Sequence, residues 1–287
     1  MAENLNKEKT IRLGTVSSLF VNYTLEDAVN QIAEAGYDAI DIWGGRPHVY
    51  RDDYSKSQLV EIRKKIENSG MEISSFMPTF YRYPTNLCSP NPIVRKDSLD
   101  YVFKCMDNAA VLGATTLLVV PSKLINGDNA EEAWKRMSEA LFSICEYSRQ
   151  YPINIGLEVV NHLNFSLINT SQDALRMIKQ FNFPNLGIVL DTGHINLEEE
   201  TAENALNNCK EKLLQIHIND NNGLAQQNTI PGEGTFAFQP FFSQLKKINF
   251  RGVISIELLA AEYTQDPAPF IRLALNRVRE MMHDSGL

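Results

Sequence analysis

Short apolar runs alternate with amphipathic segments along the whole chain. Each apolar run is rich in Val, Ile and Leu and is bounded by Gly, Pro, Asn or Asp, a pattern typical of a buried strand. The pattern predicts eight strands, at residues 12–16, 39–43, 72–77, 116–121, 154–160, 186–191, 214–218 and 253–258.

Between these runs, apolar residues recur with the spacing of a helix that buries one face. The predicted helices cover residues 25–35, 57–68, 95–112, 131–149, 171–180, 202–212, 240–247 and 267–282. Thr24 precedes two acidic residues as an N-cap should, and Gly36 stands where a left-handed C-cap belongs. Each predicted strand is therefore followed by a predicted helix.

Strict alternation of strand and helix favours an α/β fold with a parallel sheet. Eight repeats favour closure of that sheet into a (β/α)8 TIM barrel. A doubly wound open sheet is the alternative, but its nucleotide-binding form has a G-x-G-x-x-G segment that this chain lacks. No linker marks a second domain, so we expect one domain over 1–287, with 1–10 as a polar N-terminal extension. The long loops 44–56, 78–94 and 219–239 follow strands, which places them on the face where barrels keep their sites.

Composition and charge narrow the class of partner. The chain is 44% hydrophobic with a formal net charge of −8, the wrong sign for attracting nucleic acid or anionic lipid. We expect a small-molecule partner, with neither nucleic acid nor membrane. No stretch approaches the roughly 18 apolar residues of a membrane span and no signal peptide is evident, so a cytoplasmic protein is expected. The four cysteines form no C-x-x-C pair and are expected to stay reduced.

Ionisable residues occur in the last four predicted strands, where burial makes them costly. They are Glu158, Asp191, His217 and Glu257. Taken singly, a strand-end carboxylate can cap the next helix, and a histidine can be a hydrogen-bonded core residue. Together at one barrel mouth, the three carboxylates would repel one another unless a cation lies between them. The pattern indicates one divalent metal ion.

Three carboxylates and one imidazole suit Mn²⁺, with Mg²⁺ or Co²⁺ as alternatives, and are a poor fit for structural zinc. Such an ion stabilises the enediolate that forms when a proton leaves the carbon next to a carbonyl. Glu158 and Glu257 could serve as ligands and also as the catalytic acid and base. Proton return to the other face would epimerise a sugar, and return to the neighbouring carbon would isomerise it.

The chain resembles the sugar isomerase and epimerase barrels related to xylose isomerase, especially the ketose 3-epimerases and their fructoselysine 3-epimerase branch. The segments that carry the resemblance are Leu-Glu-Val-Val-Asn at 157–161, Leu-Asp-Thr-Gly-His at 190–194, Ile-His-Ile-Asn-Asp at 216–220, Ile-Pro-Gly-Glu-Gly at 230–234 and Ser-Ile-Glu-Leu at 255–258. It implies that the four residues bind one metal, that the two glutamates exchange the substrate proton, and that His194 contacts substrate. It also implies a homo-oligomer, dimer or tetramer.

The segment Ile-Asp-Ile-Trp-Gly-Gly-Arg-Pro-His at 40–48 resembles the fructoselysine branch more than the free-ketose one. Trp43 offers a face for sugar C–H groups, and Arg46 or His48 could hold a substrate carboxylate or hydroxyl. The alternative is a tight loop with both of these side chains solvated. The aromatic run at 76–84 suits a wall over a sugar or a subunit contact.

Two positions depart from the family pattern. Many ketose 3-epimerases have a second glutamate where this chain has Asn164, and an arginine where it has Gly223. Both family residues would contact substrate hydroxyls, so we expect Asn164 to bind substrate with different chemistry. Asp220 and Glu233 are expected to be turn or supporting residues.

Three alternatives stay open for the function. A lyase of the inosose dehydratase kind would use the same metal but expel β-hydroxide. A non-catalytic sugar-binding barrel would have little reason to keep four metal-type ligands on four strands. An abasic-site endonuclease of this barrel family uses three zinc ions and several histidines, whereas this chain has five histidines and no basic stripe. The prediction is a metal-dependent epimerase or isomerase acting on a ketose or an Amadori-type sugar derivative.

Overall fold

Eight parallel strands close into one barrel in the computed structural model, which describes residues 10–79, 85–164 and 167–287. The strands follow one another around the barrel in chain order, and β8 pairs with β1. They are β1 Arg12–Val16, β2 Ala39–Trp43, β3 Glu72–Met77, β4 Thr116–Val119, β5 Asn154–Glu158, β6 Leu186–Asp191, β7 Leu213–Ile218 and β8 Val253–Ile256. The predicted α/β class and eight-stranded barrel are confirmed.

Helices follow the strands and cover the outside of the barrel. They are α1 Leu25–Ala35, α2 Lys56–Asn68, α3 Pro92–Leu112, α4 Ala130–Ser148, α5 Ser171–Ile178, the short α6 Thr192–Ile195, α7 Ala202–Cys209, α8 Phe238–Lys247 and α9 Pro267–Asp284. Thr24 caps α1 by accepting a hydrogen bond from the Asp27 backbone N–H, as its position in the sequence predicts. No helix in the described part of the chain is both long enough and apolar enough to span a membrane.

Residues that face the barrel interior form successive layers, because side chains two apart on a strand point the same way. Asp41, Gln215 and Ser255 lie on β2, β7 and β8, each two residues before a residue at the carboxyl end of its strand. Those residues are Trp43, His217 and Glu257, of which Glu257 directly follows β8. Asp41, Gln215 and Ser255 are fully buried or nearly so. A polar layer therefore lies directly beneath the carboxyl ends of the strands.

Candidate metal and substrate site

Four of the predicted site residues meet at the carboxyl ends of β5 to β8. Glu158 and Asp191 end β5 and β6, His217 is the penultimate residue of β7, and Glu257 directly follows β8. One ligand atom from each lies within 4.8 Å of the others. Their exposed fractions run only from 0% for His217 to 8% for Glu257. The barrel thus gathers the four residues that the sequence singled out.

These four residues fit one divalent metal ion. Ligand atoms at about 2.0–2.1 Å from a small cation lie roughly 3–4 Å from one another, and the spacing here is close to that. His217 directs Nδ1 toward the group, 3.2 Å from Glu158 Oε1 and 3.6 Å from Glu257 Oε2. Three carboxylates and one imidazole are ligands that hard and borderline divalent ions accept. The group could therefore hold a metal ion.

Burial and mutual repulsion shift the protonation of this group. Burial raises the pKa of Glu257 well above its ordinary value; the His217 charge opposes the rise, and the charges of Asp191 and Glu158 add to it. Burial acts to lower the pKa of His217, but hydrogen bonding to Asp41 and Glu158 and the charge of Glu257 raise it well above its ordinary value. Both shifts favour the protonated forms of His217 and Glu257, so binding of a metal ion by these residues would release protons.

Asp191 is fixed by contacts to both carboxylate oxygens. The His194 backbone N–H donates to Oδ1 at 2.9 Å, and Asn219 Nδ2 donates to Oδ2 at 2.8 Å. Gly193 makes room for this packing, since a Cβ there would lie 1.9 Å from Asn219 Oδ1. The Asp-Thr-Gly-His segment therefore aims one ligand and starts the short helix that carries His194.

A cavity of about 350 Å³ opens beside the ligand group on the carboxyl-end face of the barrel. Glu158, Glu257 and His194 line its polar side. Its apolar side includes Trp43, Met77, Leu118, Val120 and Leu259. The volume is in the range of small-molecule sites, and the mixture of apolar wall and a few polar groups is typical of them.

A chain of amides borders this cavity. Asn161 Nδ2 lies 2.7 Å from His194 Nδ1 and 2.9 Å from Gln226 Oε1. Asn164 Nδ2 donates to the same Gln226 oxygen at 2.6 Å. Gln226 lines the cavity, whereas Asn164 does not line it and contacts it only through Gln226. Both of these hydrogen bonds use Gln226 Oε1, and no described residue accepts from its Nε2.

Trp43 also lines a smaller cavity of about 270 Å³, and Arg46 lies there and not in the larger one. The Arg46 Nε and Nη2 donate to the two Asp53 carboxylate oxygens at 2.6 and 2.8 Å. Its guanidinium lies 4.6 Å from the centroid of the Tyr50 ring, and its side chain is 68% exposed. The Arg46 guanidinium is therefore fixed by Asp53, remains exposed to solvent and lies next to the larger cavity.

His48 does not reach either cavity. It is fully buried, with Nδ1 3.1 Å from the Ser17 Oγ, which also accepts the Trp43 backbone N–H. Burial lowers its pKa to about 4, although the backbone of Tyr23 and Phe20 acts in the opposite direction. The expected contact of His48 with substrate does not match this position, because the imidazole is enclosed and neutral. Its ring packs edge-on against Trp43.

The loop after β7 carries Gln226 and is organised by the buried carboxylate of Asp220. Asp220 accepts hydrogen bonds from the backbone N–H groups of Asn221, Gly232, Gly234 and Phe236, at 2.9 to 3.1 Å. Glu233 lies outside the cavity and pairs with Arg277 at 3.2 Å. Both acids act in the loop, as the sequence analysis expected.

Three residues near the site carried no assignment from the sequence. Asn161 and Gln226 are uncharged loop residues, and a single sequence gives no signal that distinguishes them from other loop amides. Asp41 does carry a signal, since it is an acid inside an apolar strand, but its strand lies outside the run of four consecutive strands that hold the candidate ligands. Of the aromatic run at 76–84, Met77 and Thr79 line the larger cavity, and residues 80–84 are outside the described residues.

Comparison with known proteins agrees with this geometry. A sequence model of the family described as "Xylose isomerase-like TIM barrel" matches residues 29–280. Fructoselysine 3-epimerase of Escherichia coli O157:H7 is 26% identical over 258 residues, which cover 90% of this chain and 94% of that protein. Ketose 3-epimerase of Arthrobacter globiformis is 28% identical over 233 residues, covering 80% and 76%. The crystal structure of D-psicose 3-epimerase with D-tagatose from Clostridium cellulolyticum H10 superposes with a TM-score of 0.80 at 18% identity, covering 94% of this chain and 99% of that one.

Proposed function

The chain belongs to the xylose isomerase-like TIM barrel family, and we propose that it is a metal-dependent epimerase that inverts C3 of a ketose or of an Amadori-type ketose derivative. The observation that carries the proposal is the position of Glu158 and Glu257, which belong to the four-residue ligand group and also line the cavity. Relatives at 26% and 28% identity are named 3-epimerases of such sugars.

Glu158, Asp191, His217 and Glu257 would hold the ion, with Mn²⁺ favoured by the ligand set and Mg²⁺ or Co²⁺ as alternatives. When bound, the ion supplies positive charge that stabilises the negative charge developing on the substrate oxygens. Asp191 has both oxygens hydrogen-bonded and does not line the cavity. It is therefore a ligand only, which leaves proton transfer to the two glutamates.

Glu158 ends β5 and Glu257 directly follows β8, and these two strands are not neighbours in the barrel. Both line the cavity, and the proposed reaction has them act on opposite faces of C3 of a sugar bound there. One carboxylate accepts the proton from C3, and the carboxyl group of the other donates a proton to the opposite face of the same carbon. Protons removed and returned are equal in number, so the inversion needs neither oxidant nor reductant.

The cavity wall supplies neutral donors for the sugar oxygens. Because Asn161 donates to His194 Nδ1, the proton of the neutral imidazole resides on Nε2 and can be donated to substrate. Gln226 Nε2 is a second donor, and Asn164 contributes by holding Gln226. Trp43 provides an apolar face. These amides offer neutral hydrogen bonds in a chain that has Asn164 and Gly223 where many ketose 3-epimerases have a glutamate and an arginine.

Arg46 supports a substrate larger than a free ketose. Its cavity shares Trp43 and Thr79 with the larger one, so a substituent on the sugar can extend from one to the other. A carboxylate on that substituent would meet an accessible guanidinium held by Asp53. The amino-acid part of an Amadori compound has this chemistry. We also retain the predicted homo-oligomer, which light scattering of the purified protein would test.

The test is incubation in D₂O with Mn²⁺ and a panel of free ketoses and Amadori sugars, followed by proton NMR. We expect inversion at C3 with loss of the C3 proton signal as deuterium enters. Formation of an unsaturated product would indicate a lyase. A metal-loaded protein that binds a sugar without changing it would indicate a binding protein and refute the proposal.

A matched pair of variants ties the reaction to the site. Glu257→Gln should lose on the order of 10²–10⁴ in kcat, the usual contribution of a positioned acid or base. Glu262→Gln, an exposed neighbour in the turn after β8, should keep wild-type activity. Metal content is measured in both, and a fully loaded Glu257→Gln enzyme with near-wild-type kcat would remove Glu257 from the mechanism.

A further inference from the structure

Asp41 is a buried acid beneath the ligand group that the proposed reaction does not use. It lies on β2 and is 0% exposed. Ser74 Oγ donates to its Oδ1 at 2.6 Å, and Gln215 Nε2 lies 3.0 and 2.9 Å from its two oxygens. A buried carboxylate is costly unless hydrogen bonds satisfy it, so Ser74 and Gln215 explain how Asp41 is tolerated there. They do not explain why an acid is present.

The His217 ring lies between Asp41 and the ligand group. Its Nε2 is 3.5 Å from Asp41 Oδ2, while Nδ1 faces Glu158 and Glu257 at 3.2 and 3.6 Å. Nε2 is buried and makes no hydrogen bond of normal geometry with any described residue, so the Asp41 carboxylate at 3.5 Å is the acceptor that faces it. Turning the ring by half a turn would present carbon atoms to the carboxylates on both sides. Asp41 therefore determines which way the imidazole faces.

We infer that Asp41 is a positioning residue that accepts the Nε2–H of His217 and so directs the Nδ1 lone pair to the metal ion. A neutral imidazole carries one proton, and only the nitrogen without it can bind a metal. A carboxylate behind a metal-binding histidine fixes its tautomer and strengthens its donor nitrogen. The inference rests on the proposed function, because it assigns a role relative to the proposed metal.

The geometry separates this role from that of a fifth ligand. Asp41 faces the Nε2 side of the ring, whereas the other ligand atoms gather on the Nδ1 side. Its oxygens are also engaged by Ser74 and Gln215, which hold the carboxylate in place. Asp41 acts on the metal only through His217.

The test compares two charge-removing variants on the same β-strand region. Asp41→Asn removes the negative charge behind Nε2–H and replaces one acceptor oxygen with an amide donor, and it should weaken Zn²⁺ binding by about 10- to 100-fold, the usual effect of losing such a partner. Asp38→Asn is the control, since Asp38 is exposed and, among the described residues, its side chain accepts only from the Leu13 backbone N–H at the other end of the barrel. It should bind Zn²⁺ as tightly as wild type. Affinities are measured by competition with a chelator.

A second measurement needs no variant. In ¹⁵N-edited NMR of the Zn²⁺-loaded wild-type protein, His217 should show a protonated, slowly exchanging Nε2 and an unprotonated, metal-shifted Nδ1. A proton on Nδ1, or Asp41→Asn binding Zn²⁺ as tightly as wild type, would overturn the role of Asp41 and leave the proposed epimerase intact. Failure of the wild-type protein to bind any divalent ion would instead overturn the metal site, and this inference with it.

Discussion

His48 shows how the environment of one residue sets a measurable pH dependence. Its pKa is about 4 in the folded protein and about 6.5 when the ring is free in water. Between these values the unfolded chain binds one more proton than the folded one. The free energy of unfolding should therefore fall as the pH drops from about 6.5 to 4, with His48 contributing about 3 kcal/mol of the loss.

The measurement is urea unfolding across this pH range in wild type and in His48→Gln, which cannot take up the proton. The free energy of unfolding of the variant should fall less steeply with decreasing pH than that of wild type. His283→Gln is the control, because His283 is 89% exposed, and its curve should run parallel to that of wild type. Parallel curves for wild type and His48→Gln would show that the buried ring does not titrate in this window.

Single residues also show what a sequence can and cannot predict about a site. Glu158 and His217 could be singled out because an ionisable side chain in an apolar strand has few explanations. His48 followed a strand on the correct face, but the fold of its loop turned it under Trp43. That outcome depends on contacts with Ser17, which belongs to a different segment of the chain. The role of Gln226 likewise depends on Asn161 and Asn164, far away in sequence.

At the scale of elements, strands and long helices could be predicted and short elements could not. The predicted ends of the helices differ from the observed ones by at most three residues, because caps such as Thr24 and the apolar period mark them. The four-residue helix Thr192–Ile195 is shorter than two turns and leaves no period to detect. Asp191 caps it, which is the role that the sequence analysis gave as the alternative to metal binding for a strand-end carboxylate.

The loop after β7 gives a prediction at this scale. Removing the Asp220 side chain in Asp220→Ala would leave four backbone N–H groups without their acceptor. We expect the free energy of unfolding to fall by on the order of 3 kcal/mol. Because this loop carries Gln226, KM should rise more than kcat falls.

Urea unfolding and steady-state kinetics with the identified sugar test this. Asp266→Ala serves as the control, since Asp266 is exposed and its side chain makes no capping hydrogen bond to the helix it precedes. An Asp220→Ala variant as stable as Asp266→Ala would mean that the loop holds its shape without this carboxylate.

For the whole molecule, barrel closure brings the site together. The pairing of β6 with β7 sets Asp191 beside His217 in register. The pairing of β7 with β8 ends at Ile218 and Ile256, and Glu257 is the next residue after that pair. The four candidate ligands come from the ends of four different strands, so the unfolded chain does not hold them together as one metal-binding group. A metal ion should therefore bind the folded state almost exclusively and stabilise the entire barrel.

This linkage is the last prediction. At a free Mn²⁺ concentration of 100 times the Kd, the free energy of unfolding should rise by about 2.7 kcal/mol over the value in chelator. The gain should disappear in His217→Ala, which removes the only imidazole of the group, and persist in His283→Ala, whose side chain is exposed. The stabilisation is measured for wild type and both variants as the shift in the midpoint of thermal unfolding on adding Mn²⁺. Equal stabilisation of His217→Ala and wild type would place the ion elsewhere on the protein, and the repulsion among Glu158, Asp191 and Glu257 would then have to be relieved by protons alone.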